Sequence, residues 1–244
     1  MSPLGELVQE QAESPAPNWC GRPLQLDLDN TSARNMKKFS FRLYVIIDAG
    51  FIGNRSLTSL VYAVLRGGTN MLQLRAKNEP TKKILAMAKT IQKISHRFNV
   101  PFILNDRVDL VLAVDASGVH LGQDDMPLPI ARKLLGKDKI IGISVKTVRD
   151  AQDAQKDGAD YLGVGPVFAT KSKQDAGSPI GLKHLSTIAT SVWLPVVGIG
   201  GINAENAKDV LQAGADGIAV LSAILHAKDP EMATRSLWRI VTDD

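Results

Sequence analysis

The most regular feature of the chain is a succession of short apolar runs beginning near Arg42. Residues 43–47, 71–74, 101–104, 118–121, 140–143, 161–164, 195–199 and 217–221 each form one. They are near-continuously hydrophobic rather than alternating. That pattern suits strands buried on both faces of a parallel sheet. The segments between them change period. Leu57, Leu60, Val61, Val64 and Leu65 recur at three and four, as do Ile84, Met87, Ala88 and Ile91, and Val210 and Leu211 continue the theme. This is the signature of helices laid on a sheet.

A shorter echo overlies the alternation. Gly67-Gly-Thr-Asn-Met-Leu-Gln-Leu, Asp115-Ala-Ser-Gly-Val-His-Leu-Gly, Gly158-Ala-Asp-Tyr-Leu-Gly-Val-Gly and Gly214-Ala-Asp-Gly-Ile-Ala-Val resemble one another. Each places a turn of small residues just before strands two, four, six and eight. Glycine there is expected to end the preceding helix in the left-handed conformation. A repeated βα-βα unit predicts an α/β fold, a single-domain (β/α)8 TIM barrel over residues 41–244. An open doubly wound sheet is the alternative. Residues 1–40 read as an N-terminal extension, partly mobile, with no assigned purpose.

Composition narrows the function. The chain has 244 residues and a net charge of +4, and its aromatic fraction is 5%. Basic residues are scattered among acids, which does not favour a nucleic-acid-binding face but remains compatible with anionic small substrates. No stretch approaches the length of a membrane span, and the N-terminus shows no signal-peptide core. The single cysteine, Cys20, excludes an internal disulfide and fits a reducing, cytoplasmic setting. A homo-oligomer is compatible with the sequence, which leaves oligomeric state open.

In this fold the chemistry sits at the C-terminal strand ends. Strand two leads into Gln73, Arg75 and Lys77, which share a face by period two and could clamp phosphate oxygens or form a solvated edge. Strand three ends in Asn105-Asp106 and strand four in Gly122-Gln-Asp-Asp125. Asp106 and Asp125 could hold magnesium, or each could cap the following helix. Ser144 follows strand five, with Thr147 a helix-cap candidate. A long loop after strand six carries Thr170, Lys171, Ser172 and Lys173 and has the character of a lid. Gly200-Gly201 after strand seven and Leu221-Ser222 after strand eight occupy the recurrent phosphate position of this fold. His120 reads as a core histidine, and Trp193 and Trp238 as packing.

Taken in order, these motifs become specific. Gln73-Leu-Arg-Ala-Lys77, Asn105-Asp-Arg-Val-Asp109, Gly118-Val-His-Leu-Gly-Gln-Asp-Asp125, Gly163-Val-Gly-Pro-Val-Phe-Ala-Thr-Lys-Ser-Lys173 and Gly198-Ile-Gly-Gly-Ile202 closely resemble the thiamine-phosphate synthase family over residues 42–240. The resemblance implies a transferase with two phosphorylated small-molecule substrates. A pyrimidine methyl diphosphate would lose pyrophosphate, and a thiazole phosphate would capture the carbon. It also implies site roles. Gln73, Arg75, Lys77, Asn105, Ser144 and Lys173 would bind the pyrimidine diphosphate, with Arg75, Ser144 and Lys173 closest to the chemistry. Asp106 and Asp125 would hold Mg2+. Thr170, Ser172, Gly201, Leu221 and Ser222 would bind the thiazole phosphate. Where many members carry histidine this chain has Lys146, and its role is open. Two rival readings are a thiazole tautomerase and a non-catalytic thiamine-phosphate sensor. Retention of the diphosphate clamp and both aspartates disfavours each.

Overall fold

The computed structural model describes residues 41–170, 172 and 177–243. The N-terminal extension, Cys20, Lys171 and Lys173 lie outside the described residues. Eight strands pair in parallel and in chain order: β1 (Leu43–Asp48), β2 (Met71–Arg75), β3 (Phe102–Asn105), β4 (Gly118–Leu121), β5 (Ile140–Val145), β6 (Tyr161–Val164), β7 (Val196–Ile199) and β8 (Gly217–Val220). Pairing of β1 with β8, Leu43 opposite Ile218, closes the barrel and leaves no sheet edge. The open-sheet alternative is thereby excluded.

Helices cover the outside: α1 (Leu57–Arg66), α2 (Thr81–Arg97), α3 (Val108–Val114), α4 (Leu128–Leu135), α5 (Val148–Lys156), α6 (Gly181–Thr190), α7 (Ala207–Gln212), a short α8 (Ser222–Leu225) and α9 (Pro230–Thr242). In α1, Leu60, Val61, Val64 and Leu65 are all buried. Four such side chains contribute on the order of 6–12 kcal/mol of apolar burial. A charge at Val64 would forfeit that face. Ser56 caps α1 by accepting from the Ser59 N–H. Thr147 caps α5 in a reciprocal box with Asp150, as the sequence suggested.

Two apolar clusters result. The larger lies between strands and helices. The smaller fills the barrel interior with Phe41, Tyr44, Ile46, Met71, Ile103, Ile140, Tyr161, Val197 and Ala219. The barrel is a packed core at this level.

The sequence echo has a physical origin at the opposite end. Asn70, Ser117, Asp160 and Asp216 stand just before β2, β4, β6 and β8. Their side chains accept from Leu43, Phe102, Ile141 and Val196 N–H at 3.0, 3.1, 2.7 and 2.7 Å. Their own N–H groups donate to the carbonyls of those same four residues. Each even strand thus ties down the start of the preceding odd one. The left-handed residues of the turns are Gly68, Asp115, Gly158 and Gly214. The second echo therefore departs from expectation. Asp115, not a glycine, takes φ 53° there, a conformation aspartate tolerates better than most residues.

Trp193 corrects another expectation. It does not pack in the core but is 57% exposed, in the turn between α6 and β7. Its backbone N–H donates to Gln155 Oε1 at 2.8 Å, which holds the turn without burying the indole. Trp238 does pack, against Gly68, where a Cβ would lie 2.7 Å from the indole. Among the described residues, no helix is long and apolar enough to cross a membrane.

Candidate active site

The C-terminal strand ends surround two connected hollows. An inner one of about 90 Å³ sits over the barrel core and is lined by Gln73, Arg75, Lys77, Asn105, Asp106, His120, Asp125 and Ser144. An outer one of about 290 Å³ shares Arg75, Lys77, Asp125 and Ser144 and extends to Lys146, Thr170, Ser172, Gly200, Gly201, Leu221 and Ser222. Every described residue with an expected site role therefore borders one continuous cavity. Lys173 alone lies outside the described residues.

The basic side of the cavity is built on β2. Strand pairing sets Arg75 beside Asp48, and the guanidinium donates to the Asp48 carboxylate. Asp48 is itself anchored, accepting from the Gly50 N–H at 2.8 Å. Its side chain is 7% exposed, that of Arg75 19%. This pairing holds the guanidinium at the cavity wall. Lys77 Nζ lies 3.2 Å from Asp106 Oδ2.

The two aspartates come from neighbouring strand ends. Asp106 takes φ 63°, and its N–H donates to the His120 carbonyl at 2.9 Å. Asp125 Oδ2 accepts from Gly122 N–H at 2.6 Å. Neither serves as a helix cap. Arg107 and Pro127 occupy the cap positions of α3 and α4, and no side-chain cap bond is made at either. The capping alternative therefore falls away, because the chain passes through one further residue or more before each helix starts.

Burial and then the hydrogen bond and charge of Asp125 push the Asp106 carboxyl up to about 6, against the pull of Lys77. Two carboxylates held together in this way disfavour double ionisation unless a cation lies between them. Among the described residues no group of three or more His, Cys, Asp and Glu could hold a metal. Two carboxylates with room for water and substrate oxygens is nevertheless the donor set magnesium favours. The residues present fit that ion.

The opposite side is built for backbone approach. Gly200 and Gly201 have φ of 97° and 67°. A Cβ on Gly200 would lie 2.6 Å from Pro166 Cα, and one on Gly201 2.6 Å from the Ala169 carbonyl oxygen. Only glycine lets the turn after β7 pack so closely beneath the loop after β6. Phe168 N–H donates to Gly200 O at 3.0 Å and locks the two turns together. Thr170 Oγ1 accepts from Ser172 N–H at 3.2 Å, and both residues line the outer hollow.

Sequence reasoning overlooked Asp48, Tyr44 and Tyr161. Asp48 is the last residue of β1, and inspection of strand ends from β1 onward would have found it. The tyrosines lie within apolar runs and carry no separate signal. His120 is buried, as expected of a core histidine. It also borders the cavity, with Nε2 2.9 Å from Ser144 Oγ.

Comparison with known proteins agrees with this architecture. A family model described as thiamine monophosphate synthase matches residues 43–224. The thiamine-phosphate synthase of Roseiflexus castenholzii is 51% identical over 195 residues, 80% of this chain and 86% of that protein. That of Moorella thermoacetica is 49% identical over 200 residues, 82% and 95% of the two chains. The solved thiamine phosphate pyrophosphorylase from Pyrococcus furiosus superposes with a TM-score of 0.77 at 43% identity, over 86% of this chain and 98% of the other. The matched segment runs from the first strand of the barrel to α8 and contains every described residue of the cavity. The chain belongs to the thiamine-phosphate synthase family of transferases.

Proposed function

We propose that the protein joins an aminopyrimidine methyl diphosphate to a thiazole phosphate, forming thiamine phosphate and releasing pyrophosphate. The observation that supports this reading is one cavity that brings the Arg75 and Lys77 cations, the Asp106 and Asp125 carboxyls and Ser144 together with the Gly200-Gly201 turn and Ser222.

The reaction breaks the bond between the CH2 carbon and the diphosphate oxygen, and the electron pair leaves with the diphosphate. The aminopyrimidine ring shares the positive charge left on the CH2. The thiazole nitrogen then donates its lone pair to form the C–N bond. No proton need be moved, so the site requires no general base. The Arg75 fork and the Lys77 ammonium bind diphosphate oxygens and neutralise charge as it develops. Asp106 and Asp125 would hold magnesium. When bound, that ion supplies further charge neutralisation to the leaving group. Gln73, Asn105 and Ser144 orient the pyrimidine, and Lys173 adds a charge from the loop after β6. Thr170, Ser172, Gly201, Leu221 and Ser222 hold the thiazole phosphate. Fixing both partners across one gap removes the entropy cost of their encounter.

The test is direct. Purified protein is mixed with both substrates and magnesium, and thiamine phosphate and pyrophosphate are measured by chromatography. Equal yields of both products support the proposal. No thiamine phosphate at any magnesium concentration sinks it.

A further inference from the structure

Beneath the cavity a line of hydrogen bonds crosses the barrel interior from β2 to β5. Gln73 Nε2 donates to Tyr44 OH at 2.6 Å. The Tyr44 and Tyr161 hydroxyls are 3.0 Å apart. Tyr161 OH lies 2.9 Å from His120 Nδ1, and His120 Nε2 lies 2.9 Å from Ser144 Oγ. Gln73, Tyr44, Tyr161 and His120 are all buried.

The fold makes room for this line at two glycines. A Cβ on Gly142 would lie 2.0 Å from Tyr161 Cζ, and one on Gly163 2.9 Å from His120 Cε1. Strand register places His120 beside Gly142, Gly142 beside Tyr161, and Ser144 beside Gly163. The rings therefore lie across neighbouring strands, above positions that have no side chain.

With the Gln73 amide nitrogen toward Tyr44, proton counting gives the line a direction. A phenol has one proton. Tyr44 accepts from the Gln73 amide, so its own proton goes to Tyr161. Tyr161 accepts there, so its proton goes to His120 Nδ1. An accepting Nδ1 requires a neutral imidazole with its proton on Nε2, and that N–H donates to Ser144 Oγ. The Ser144 proton then turns away from the histidine, toward the cavity. At the other end, the Gln73 amide uses an N–H inward. Burial raises both tyrosines well above the ordinary phenol range, which keeps their protons in place.

We infer that Tyr44 and Tyr161 are positioning residues. Acting through Gln73 and His120, they fix Gln73 as a hydrogen-bond acceptor and Ser144 as a donor toward the substrate ring. The inference rests on the proposed pyrimidine substrate and specifies how its ring is told from others. An aminopyrimidine has one donor group, the amino, and acceptor ring nitrogens. It meets both ends of the line with the required sense. A 4-oxo ring offers an acceptor where the amino donor belongs, and a protonated ring nitrogen.

The test uses the full chain and Tyr161→Phe, with Tyr44→Phe as a second variant and a melting curve on each to confirm folding. Binding of the 4-amino and 4-oxo pyrimidine monophosphates, which cannot expel diphosphate, is measured by calorimetry without thiazole. The ligand-free protein is examined by ¹⁵N NMR of its histidines. Wild type should prefer the amino compound and show His120 with its proton on Nε2 only. In Tyr161→Phe the preference should shrink about tenfold, the worth of one hydrogen bond, and His120 should become a mixture of tautomers. KM for the pyrimidine substrate should rise and that for the thiazole phosphate stay fixed. Equal weakening of both monophosphates, with an unchanged His120 tautomer, would overturn the inference in favour of simple packing. If neither monophosphate binds wild type, the substrate reading fails, and the tautomer measurement still decides whether the tyrosines direct the line.

Discussion

Replacing Asp48 by asparagine tests whether the Arg75 fork is held in place by β1. Asparagine keeps the oxygen that accepts from Gly50 N–H at 2.8 Å, so the turn after β1 should survive. What it removes is the charge opposite the guanidinium. That pair lies largely out of water, at 7% and 19% exposure. A charge-assisted hydrogen bond in such a place contributes about 1.5–3 kcal/mol. Breaking a sealed pair costs more, but Arg75 borders the cavity and can recover some solvent. A loss of about 2 kcal/mol corresponds to a fall in melting temperature of about 4–8 °C for a domain of this size. The released guanidinium also loses its fixed approach to the diphosphate, which should lower kcat/KM for the pyrimidine substrate about 10- to 100-fold. Calorimetric melting and initial rates measure the two effects. Asp48→Asn should add little in an Arg75→Gln background, since the partner is already gone. Fully additive losses in the double variant, or a single variant with unaltered melting and kinetics, would refute the anchoring role.

Removing either member of the aspartate pair should be more damaging to turnover than to folding. Asp106→Asn and Asp125→Asn are each expected to lower kcat about 100-fold or more and to raise the magnesium needed for half-maximal rate. Unchanged rate and metal dependence in both would remove the metal assignment. Asp106 also predicts a pH dependence. Its folded pKa, about 6, lies above the ordinary carboxylate value, so its contribution to metal-free stability is complete at low pH and is lost as pH rises through about 6. Magnesium should raise the melting temperature progressively more between pH 5 and 7, and an increment that stays flat across that window would contradict it. Deletion of residues 1–38 should leave kcat within about twofold, since terminal segments rarely support a packed core. A folded truncation without activity would show that the extension takes part in the reaction.

The barrel itself was legible because periodicity is local. Buried parallel strands must be apolar throughout, and helices on them must repeat at three and four, so the eight runs and their spacing stand in the sequence. The echoes before the even strands were visible too, though their cause was not. Only the folded chain shows Asn70, Ser117, Asp160 and Asp216 each bound both ways to the start of an odd strand. The glycine pair and the Arg75–Lys77 spacing pointed to anions because backbone access and clustered charge have few other uses at strand ends.

What tertiary structure decided were choices between chemically equal options. Asp106 and Asp125 could cap helices or face one another, and only the path of the chain after β3 and β4 brings their carboxyls together. Asp48 and Arg75 are 27 residues apart, and Tyr44 and Tyr161 are 117 apart. Such pairs exist because barrel closure and register fix which side chains share a layer. A tyrosine in an apolar run looks like packing until its hydroxyl has a partner. The sequence by itself determined that there would be eight strands, with basic and glycine residues at their C-terminal ends. The closed register determined which polar groups meet there, because a hydrogen bond depends on position in space to within a few tenths of an ångström, and hydrophobic patterning does not.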